Sequence, residues 1–136
     1  MLTYAVFISW RLFFYAYGNN YRGQMTDLSY NIIPFKTVLN YIQNFDHIGF
    51  DVSLYNLLGN VVAFMPLGFL LPLAFGRFKA VETYTVAFVC VLFAEVLQLV
   101  SRRGVFDVDD LLLNMIGSIS GYGIYKLLHI IFKGGR

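Results

Sequence analysis

Three long apolar runs, at 54–75, 82–100 and 111–132, constrain the fold of this chain more than any other feature. A helix satisfies its backbone hydrogen bonds within itself, so about 17 to 25 predominantly apolar residues span a bilayer in this form. All three runs have this length, and a shorter run at 2–17 supplies a fourth candidate. The sequence therefore predicts an all-α polytopic membrane protein, a bundle of about four transmembrane helices in a single domain over residues 1–136.

The composition agrees with a membrane protein and argues against other classes. Apolar residues make up 58% of the chain and charged residues 13%, whereas soluble domains have about 45–50% and about 25%. The net charge of +2 is too small to favour nucleic acid as a partner. The single cysteine, Cys90, lies within the run at 82–100 and forms no intrachain disulfide.

The run at 2–17 is interrupted by Arg11. An arginine at mid-depth costs roughly 2.5 to 3.5 kcal/mol unless it reaches the interface or a carboxylate. The run has no basic leading segment and no small-residue cleavage site, so we expect a retained helix rather than a signal peptide.

A polar connection at 18–53 is long enough to fold over the membrane surface. Pro34 suits the start of a helix, and four apolar side chains then recur at helical spacing. They are Val38, Leu39, Ile42 and Phe45. The pattern predicts a short interfacial helix at about 34–46, lying on the bilayer; packing of this face on the other helices is the alternative.

Polar side chains stand at the start of the run 54–75, the end of 82–100 and the start of 111–132. They are Asn56 and Asn60, Glu95 and Gln98, and Asp110 and Asn114. Successive membrane helices alternate in direction, so these three ends lie at one membrane face in either orientation of the protein. The members of each pair are three or four residues apart and share a helix face. We therefore expect one polar pocket just beneath the lipid headgroups.

Glu95 lies roughly 7 to 8 Å from the end of its predicted helix, at 1.5 Å per residue. An unpaired carboxylate at this depth is unfavourable, so the group needs a proton, a cationic partner or a hydrated cavity. The candidate partners are Arg102, Arg103 and Arg11. An ionisable residue within the membrane favours a functional site, and a structural ion pair is the alternative.

The connection before the last run contains two arginines and three aspartates. Asp109 or Asp110 suits the N-cap or first turn of the following helix, where a carboxylate complements exposed N–H groups and the helix dipole. Capping explains one or two of these acids. It does not explain Asp107 and Glu95 together with the amides. These remaining polar residues favour a functional site.

Neither a metal nor another cofactor is predicted. The acids at 107–110 lack the spacing of an EF-hand loop, and the two histidines and Cys90 fall in different regions. The chain has no GxSxG or SxxK motif for nucleophilic catalysis. Glu95, Asp107 and Asp109 are the candidate acids and bases, and whether the protein is an enzyme stays open.

Gly117 and Gly121 form a GxxxG pattern, on which another helix backbone can approach closely. Packing within the chain is the expected use, and a homodimer through these glycines is the alternative.

The orientation follows from the basic residues in short loops, which favour the cytoplasmic side. Arg77 and Lys79 share a side with the basic residues near the carboxyl end. We therefore expect both termini in the cytoplasm and the polar pocket on the extracytoplasmic side.

Several segments resemble the VanZ-like family in the expected order along most of the chain: NIIPF at 31–35, NLLGN at 56–60, FMPLG at 64–68, EVLQ at 95–98 and the stretch 103–117. The matching positions are Asn31, Pro34, Asn56, Gly59, Asn60, Pro66, Glu95, Gln98, Arg103, Asp107, Asp109, Asp110, Asn114 and Gly117. The resemblance implies a small multi-pass protein of the bacterial cytoplasmic membrane. Some relatives are associated with resistance to teicoplanin and related lipoglycopeptides, and the resemblance carries over no biochemical mechanism.

These observations favour a membrane factor that binds a lipid-linked cell-wall precursor or a lipoglycopeptide at the polar pocket, alongside membrane lipids. The ligand-binding candidates are Asn31, Asn56, Asn60, Glu95, Gln98, Arg103, Asp107, Asp109, Asp110 and Asn114. The alternatives are a membrane enzyme that acts on an envelope lipid or cell-wall precursor through Glu95 and Asp107 or Asp109, and a structural subunit.

Overall fold

A computed structural model describes residues 3, 4, 8, 30–76, 78–101 and 105–133. The elements in chain order are β1 (Tyr30–Asn31), α1 (Lys36–Gln43), α2 (Phe45–Ile48), α3 (Phe50–Ala74), α4 (Ala80–Val100), β2 (Phe106–Asp107) and α5 (Val108–Lys133). Most of the helix predicted at 2–17 lies outside the described residues, as do Arg11, Arg102 and Arg103.

Helices α3, α4 and α5 have 25, 21 and 26 residues, and each is long and apolar enough to cross a membrane. They confirm three of the predicted spans. Helices α3 and α5 begin a few residues before their apolar runs because their first turns contain acids, which an apolar pattern omits but a helix N-terminus favours. Helix α4 begins at Ala80, and its first turn contains Glu82. In α4, the Glu82 carboxylate accepts the Lys79 backbone N–H at 2.9 Å.

The spanning helices expose apolar side chains and bury polar ones. Val81 and Val100 are 74% and 70% exposed, whereas Thr83 and Ser118 are fully buried. Soluble proteins have the reverse distribution. A bilayer around the helices explains it, since hydrocarbon solvates apolar side chains but offers no hydrogen bonds. The protein is therefore membrane-embedded.

The apolar core lies between α3 and α4. It is formed by Ala63, Phe64, Leu67, Leu71, Ala87, Val91 and Ala94. Two described residues near the amino end join it: the Tyr4 hydroxyl donates to the Ala63 carbonyl at 2.8 Å, and Ile8 packs against the same cluster. Part of the run at 2–17 therefore lies against the middle of α3.

Helices α3 and α5 make the most extensive contact in the described structure. A Cβ atom added at Gly117 would lie 2.0 Å from the Val61 carbonyl oxygen, and one added at Gly121 would lie 1.9 Å from that of Met65. The Ser118 hydroxyl also donates to the Phe64 carbonyl at 3.3 Å. The GxxxG surface is therefore occupied by another helix of the same chain, the use that the sequence favoured.

The segment predicted at 34–46 forms α1 and the short α2. Helix α1 begins after Pro34 because Phe35 adopts a left-handed conformation, with φ of 64°. Leu39 and Ile42 are exposed, each 49%. The helical part of the prediction agrees with the structure, while its place on the bilayer surface stays a prediction.

The glycine contact predicts that Gly117→Ala destabilises the protein. The new methyl group would force the backbones of α3 and α5 apart, and overpacking of this kind costs about 1–3 kcal/mol. The measurement is the unfolding midpoint of the purified protein in detergent, which we expect to fall.

Gly123→Ala is the matched control, because a Cβ atom at this position of α5 meets nothing within 4 Å. Alanine favours a helix by about 1 kcal/mol over glycine, so the midpoint should stay or rise. Equal loss of stability in the two variants would contradict the close helix contact.

Candidate functional site

Two short strands join the long first connection to the start of α5. Strands β1 and β2 pair in parallel, with Tyr30 opposite Phe106 and Asn31 opposite Asp107. Sequence reasoning missed this pairing because two residues are too few to produce an alternating pattern. The pairing places the amino end of α1 beside the first turn of α5.

Asp109 caps α1 from the first turn of α5. Its Oδ1 accepts the Phe35 backbone N–H, and its Oδ2 accepts those of Thr37 at 2.8 Å and Val38 at 3.1 Å. The first N–H groups of a helix lack intrahelical partners, and Phe35 at the N-cap has no side-chain acceptor to offer them. Asp109, more than 70 positions away in the sequence, supplies that acceptor.

Asp107 caps α5 and holds the same loop. Its Oδ1 accepts the Asp109 backbone N–H at 2.9 Å and the Asn31 amide at 3.1 Å, while its Oδ2 accepts the Thr37 hydroxyl at 2.6 Å. The predicted N-cap role of Asp109 or Asp110 therefore belongs to Asp107, whereas both later acids lie in the first turn as expected. We call Asn31, Thr37, Asp107 and Asp109 the loop clamp.

The loop clamp gives Asp107 a structural role that the sequence did not predict. Asp107 is 7% exposed and Asp109 is 1% exposed, and both oxygens of each carboxylate accept bonds from the chain itself. A functional role for Asp107 stays a prediction, and the sequence gives no sign of the distant donors that this carboxylate binds. These two aspartates have a structural explanation.

Glu95, Asp110 and Asn60 lie together beneath the loop clamp. Glu95 is 1% exposed, and its Oε2 accepts the Asp107 backbone N–H at 3.4 Å. Its electrostatic neighbours among the described residues include the acidic side chains of Asp110 and Asp107. Asn60 donates its amide to Asp110 Oδ1. The structure thus brings one polar residue from each of α3, α4 and α5 to the same end of the bundle.

Asn114 adds a buried amide to this group. It lies one helical turn after Asp110 on the same face of α5 and is 2% exposed. Its Oδ1 is buried and has no hydrogen-bond partner among the described residues. We call Asn60, Glu95, Asp110 and Asn114 the polar cluster.

The remaining predicted residues differ in their burial and in their hydrogen-bond partners. Gln98 is buried one turn after Glu95 on α4. Asn56 is half-buried and donates its amide to the Val52 carbonyl of its own helix at 2.8 Å, so this donor is used locally. Arg103 lies outside the described residues.

Ser53 is a buried polar residue that sequence reasoning missed. It is fully buried in the first turns of α3, and its Oγ has no hydrogen-bond partner in the part of the chain that the structure describes. Its spacing of seven residues from Asn60 places both on one helix face, and this spacing was the available signal. A lone serine at the end of an apolar run is otherwise too common to single out.

No three His, Cys, Asp or Glu side chains among the described residues are arranged to hold a metal ion. The acids of the site point their oxygens at backbone and side-chain donors of the chain instead. The arrangement is a set of carboxylates and amides buried at one end of a membrane bundle.

Asp109→Asn should loosen the attachment of α1. The amide would keep one acceptor oxygen but place a donor group against backbone N–H groups, and loss of a helix cap costs about 0.5–2 kcal/mol. Hydrogen exchange at the Thr37 and Val38 amides should speed up by about two- to thirty-fold, through the same free-energy change.

Asp51→Asn is the control, since Asp51 is an exposed acid in the first turn of α3. It should leave exchange at Thr37 and Val38 unchanged. Unaltered exchange in Asp109→Asn would mean that Asp109 does not cap α1.

Comparison with known proteins agrees with the resemblance of the motifs. The family model described as VanZ/LLP1 matches residues 1–129. No curated protein and no solved structure matches the chain. The matched region contains both the loop clamp and the polar cluster, and nearly the whole chain is covered, so the protein belongs to the VanZ-like family.

Proposed function

We propose that this protein is a factor of the bacterial cytoplasmic membrane that binds a lipid-linked cell-wall precursor or a lipoglycopeptide and reduces access of the antibiotic to its envelope target. In this proposal both termini are cytoplasmic and the polar cluster faces the extracytoplasmic side. Membership of the VanZ-like family supports the link to lipoglycopeptides, because some relatives are associated with that resistance.

The observation that carries the proposal is the burial of several polar groups at one end of an apolar bundle. Glu95 and Asn114 are 1% and 2% exposed within helices whose outer faces are apolar. Buried polar groups are expensive in a membrane and commonly mark a functional site. A ligand with a polar head and an acyl chain matches such a surface, since the head reaches the cluster while the chain lies on the helices.

The exposed apolar side chains of the first connection suit the same ligand. Ile32, Ile33 and Phe35 are 65%, 57% and 59% exposed and adjoin the loop clamp. At the bilayer surface these side chains would enter the headgroup region beside the cluster. The loop clamp would then hold an apolar rim next to the polar site.

The part of the enzymatic alternative that rests on Asp107 or Asp109 gains no support from the site. Acid or base catalysis by Asp107 or Asp109 needs an oxygen that can exchange a proton with substrate. Both carboxylates instead accept several bonds from the chain, including three backbone N–H groups on Asp109. We therefore retain binding as the proposed function.

Resistance assays test the proposal directly. Expression in a teicoplanin-susceptible bacterium should raise the concentration of teicoplanin that the cells tolerate. Glu95→Gln keeps the side-chain shape and removes the carboxyl group, so tolerance should return to that of cells with the empty vector.

The control is again Asp51→Asn, which removes a carboxylate from the same end of the bundle but from an exposed position. It should keep wild-type tolerance. Membrane abundance of each variant is measured in parallel. Wild-type tolerance in Glu95→Gln at equal abundance would refute the site, and no tolerance from the wild type would refute the resistance role.

A further inference from the structure

Two polar side chains at the site end of the bundle are buried without a partner. Asn114 Oδ1 and Ser53 Oγ each lie beneath the surface with no hydrogen-bond partner in the described structure. Asn114 is 2% exposed and Ser53 is fully buried. Burying a polar group without a hydrogen bond is unfavourable by several kcal/mol in hydrocarbon, roughly 2–7 kcal/mol for an amide or hydroxyl. Because these two atoms lie beside the other polar groups of the site, they suit a hydrogen-bond donor that arrives from outside the chain.

The helix geometry places Asn114 in the interface between α3 and α5. Asp110, one turn earlier, accepts a bond from Asn60 of α3, and Ser118, one turn later, donates to the Phe64 carbonyl of α3. A residue midway between these two contacts on the same face of α5 points toward α3 as well. Ser53 lies about 10 Å from Asn60 along α3, toward the membrane face, at 1.5 Å per residue.

The unpartnered oxygen of Asn114 and the carboxylate oxygens beside it are hydrogen-bond acceptors. The unpartnered atom is a carbonyl oxygen, which only accepts hydrogen bonds, and Asp110 and Glu95 are carboxyl groups. Ionised carboxyl groups close together repel one another, and a cation between them relieves the repulsion. A ligand group that donates hydrogen bonds, accepts none and is positively charged would therefore match both the unpartnered oxygen and the two carboxyl groups.

A primary ammonium group meets these three requirements. It carries three N–H donors and no acceptor, whereas the described acids are not arranged for a metal ion. Helix α5 spans about 39 Å at 1.5 Å per residue, and the hydrocarbon core is about 30 Å thick. Asn114 is six residues into α5 and therefore lies only a few ångströms inside the hydrocarbon, within reach of a lipid headgroup.

We propose that the polar cluster, with Ser53 at its outer edge, binds the primary ammonium group of an aminophospholipid or of an amine-bearing envelope ligand. This inference rests on the proposed function and specifies the class of ligand for the same site. The ammonium donates to Asn114 Oδ1 and lies beside the carboxyl groups of Glu95 and Asp110. Ser53 Oγ accepts a donor nearer to the membrane face.

Phosphatidylethanolamine and phosphatidylcholine form the decisive pair of probes. Both headgroups are cationic at the amine, but the trimethylated amine of choline has no N–H donor. Short-chain forms of each lipid are titrated onto the full-length protein in detergent, and binding is read from native mass spectra. We expect ethanolamine lipid to bind at least about ten-fold more tightly, because a hydrogen bond to a charged group is worth about one such factor or more.

Two variants test whether the preference for the ethanolamine lipid depends on Asn114 Oδ1 and Ser53 Oγ. Asn114→Leu has a similar volume without the acceptor, and Ser53→Ala removes only a hydroxyl. Asn114→Leu should abolish the preference, and Ser53→Ala should weaken it. Thr83→Val is the matched control, since Thr83 Oγ1 is also buried and unpartnered but lies near the opposite end of α4. It should keep the full preference.

Ethanolamine alone distinguishes the source of the amine. Binding of free ethanolamine as tight as that of the lipid supports ammonium recognition with a soluble amine as ligand. Weak binding of free ethanolamine beside tight binding of the lipid supports a headgroup site.

Equal affinity for the two lipids, or a full preference in both Asn114→Leu and Ser53→Ala, would overturn the inference. Equal affinity combined with loss of teicoplanin tolerance in Glu95→Gln would leave the proposed function standing with another ligand class. A preference that Asn114→Leu removes, combined with no effect on tolerance, would leave the ammonium site standing without the resistance role.

Discussion

The absence of water from the hydrocarbon core governs this structure. A polar group there must find its partner within the protein, and only helices satisfy their backbone groups unaided. The carboxylates of Asp107 and Asp109 meet this condition with donors from a distant segment, including three backbone N–H groups at the start of α1. The loop is therefore fixed to the bundle by charge-assisted hydrogen bonds rather than by a large apolar core, and it covers Glu95 through the Asp107 backbone.

The backbone contact between α3 and α5 sets the register of the polar groups. Gly117 and Gly121 allow α5 to approach the carbonyls of Val61 and Met65, which no larger residue would permit. With that contact fixed, Asn60 and Asp110 meet nearer to the ends of the same two helices. The opposite half of the bundle contains aromatic contacts between helices. Tyr122 of α5 packs edge-on against Tyr84 of α4, with the ring centroids 5.3 Å apart. The aromatic contacts and the polar groups thus lie at opposite ends of the bundle.

The spanning helices were predictable because their signal is local and long. Runs of about 20 apolar residues are typical of membrane helices and rare elsewhere, and the alternation of helix direction then placed Asn60, Glu95 and Asp110 at one end before any contact was known. The loop clamp was not predictable in the same way. The bonds of Asp109 connect residues more than 70 positions apart and leave no periodic pattern, so the sequence attributed Asp107 to function instead of capping. Sequence reasoning also looked to arginines as partners of Glu95, and this stays a prediction because Arg11, Arg102 and Arg103 lie outside the described residues. The described neighbours of Glu95 include a backbone N–H and two acids.

The central claim is that the polar ends of α3, α4 and α5 lie at one membrane face, and side-specific labelling of single cysteines tests it most directly. In a Cys90→Ala background, cysteines replace the exposed residues Asp51, Ser101 and Lys79, and intact cells are treated with a membrane-impermeant maleimide. The account predicts that the cysteines at 51 and 101 react together from outside and that the one at 79 reacts only after permeabilisation. Opposite behaviour of positions 51 and 101, or identical behaviour of all three, would contradict it.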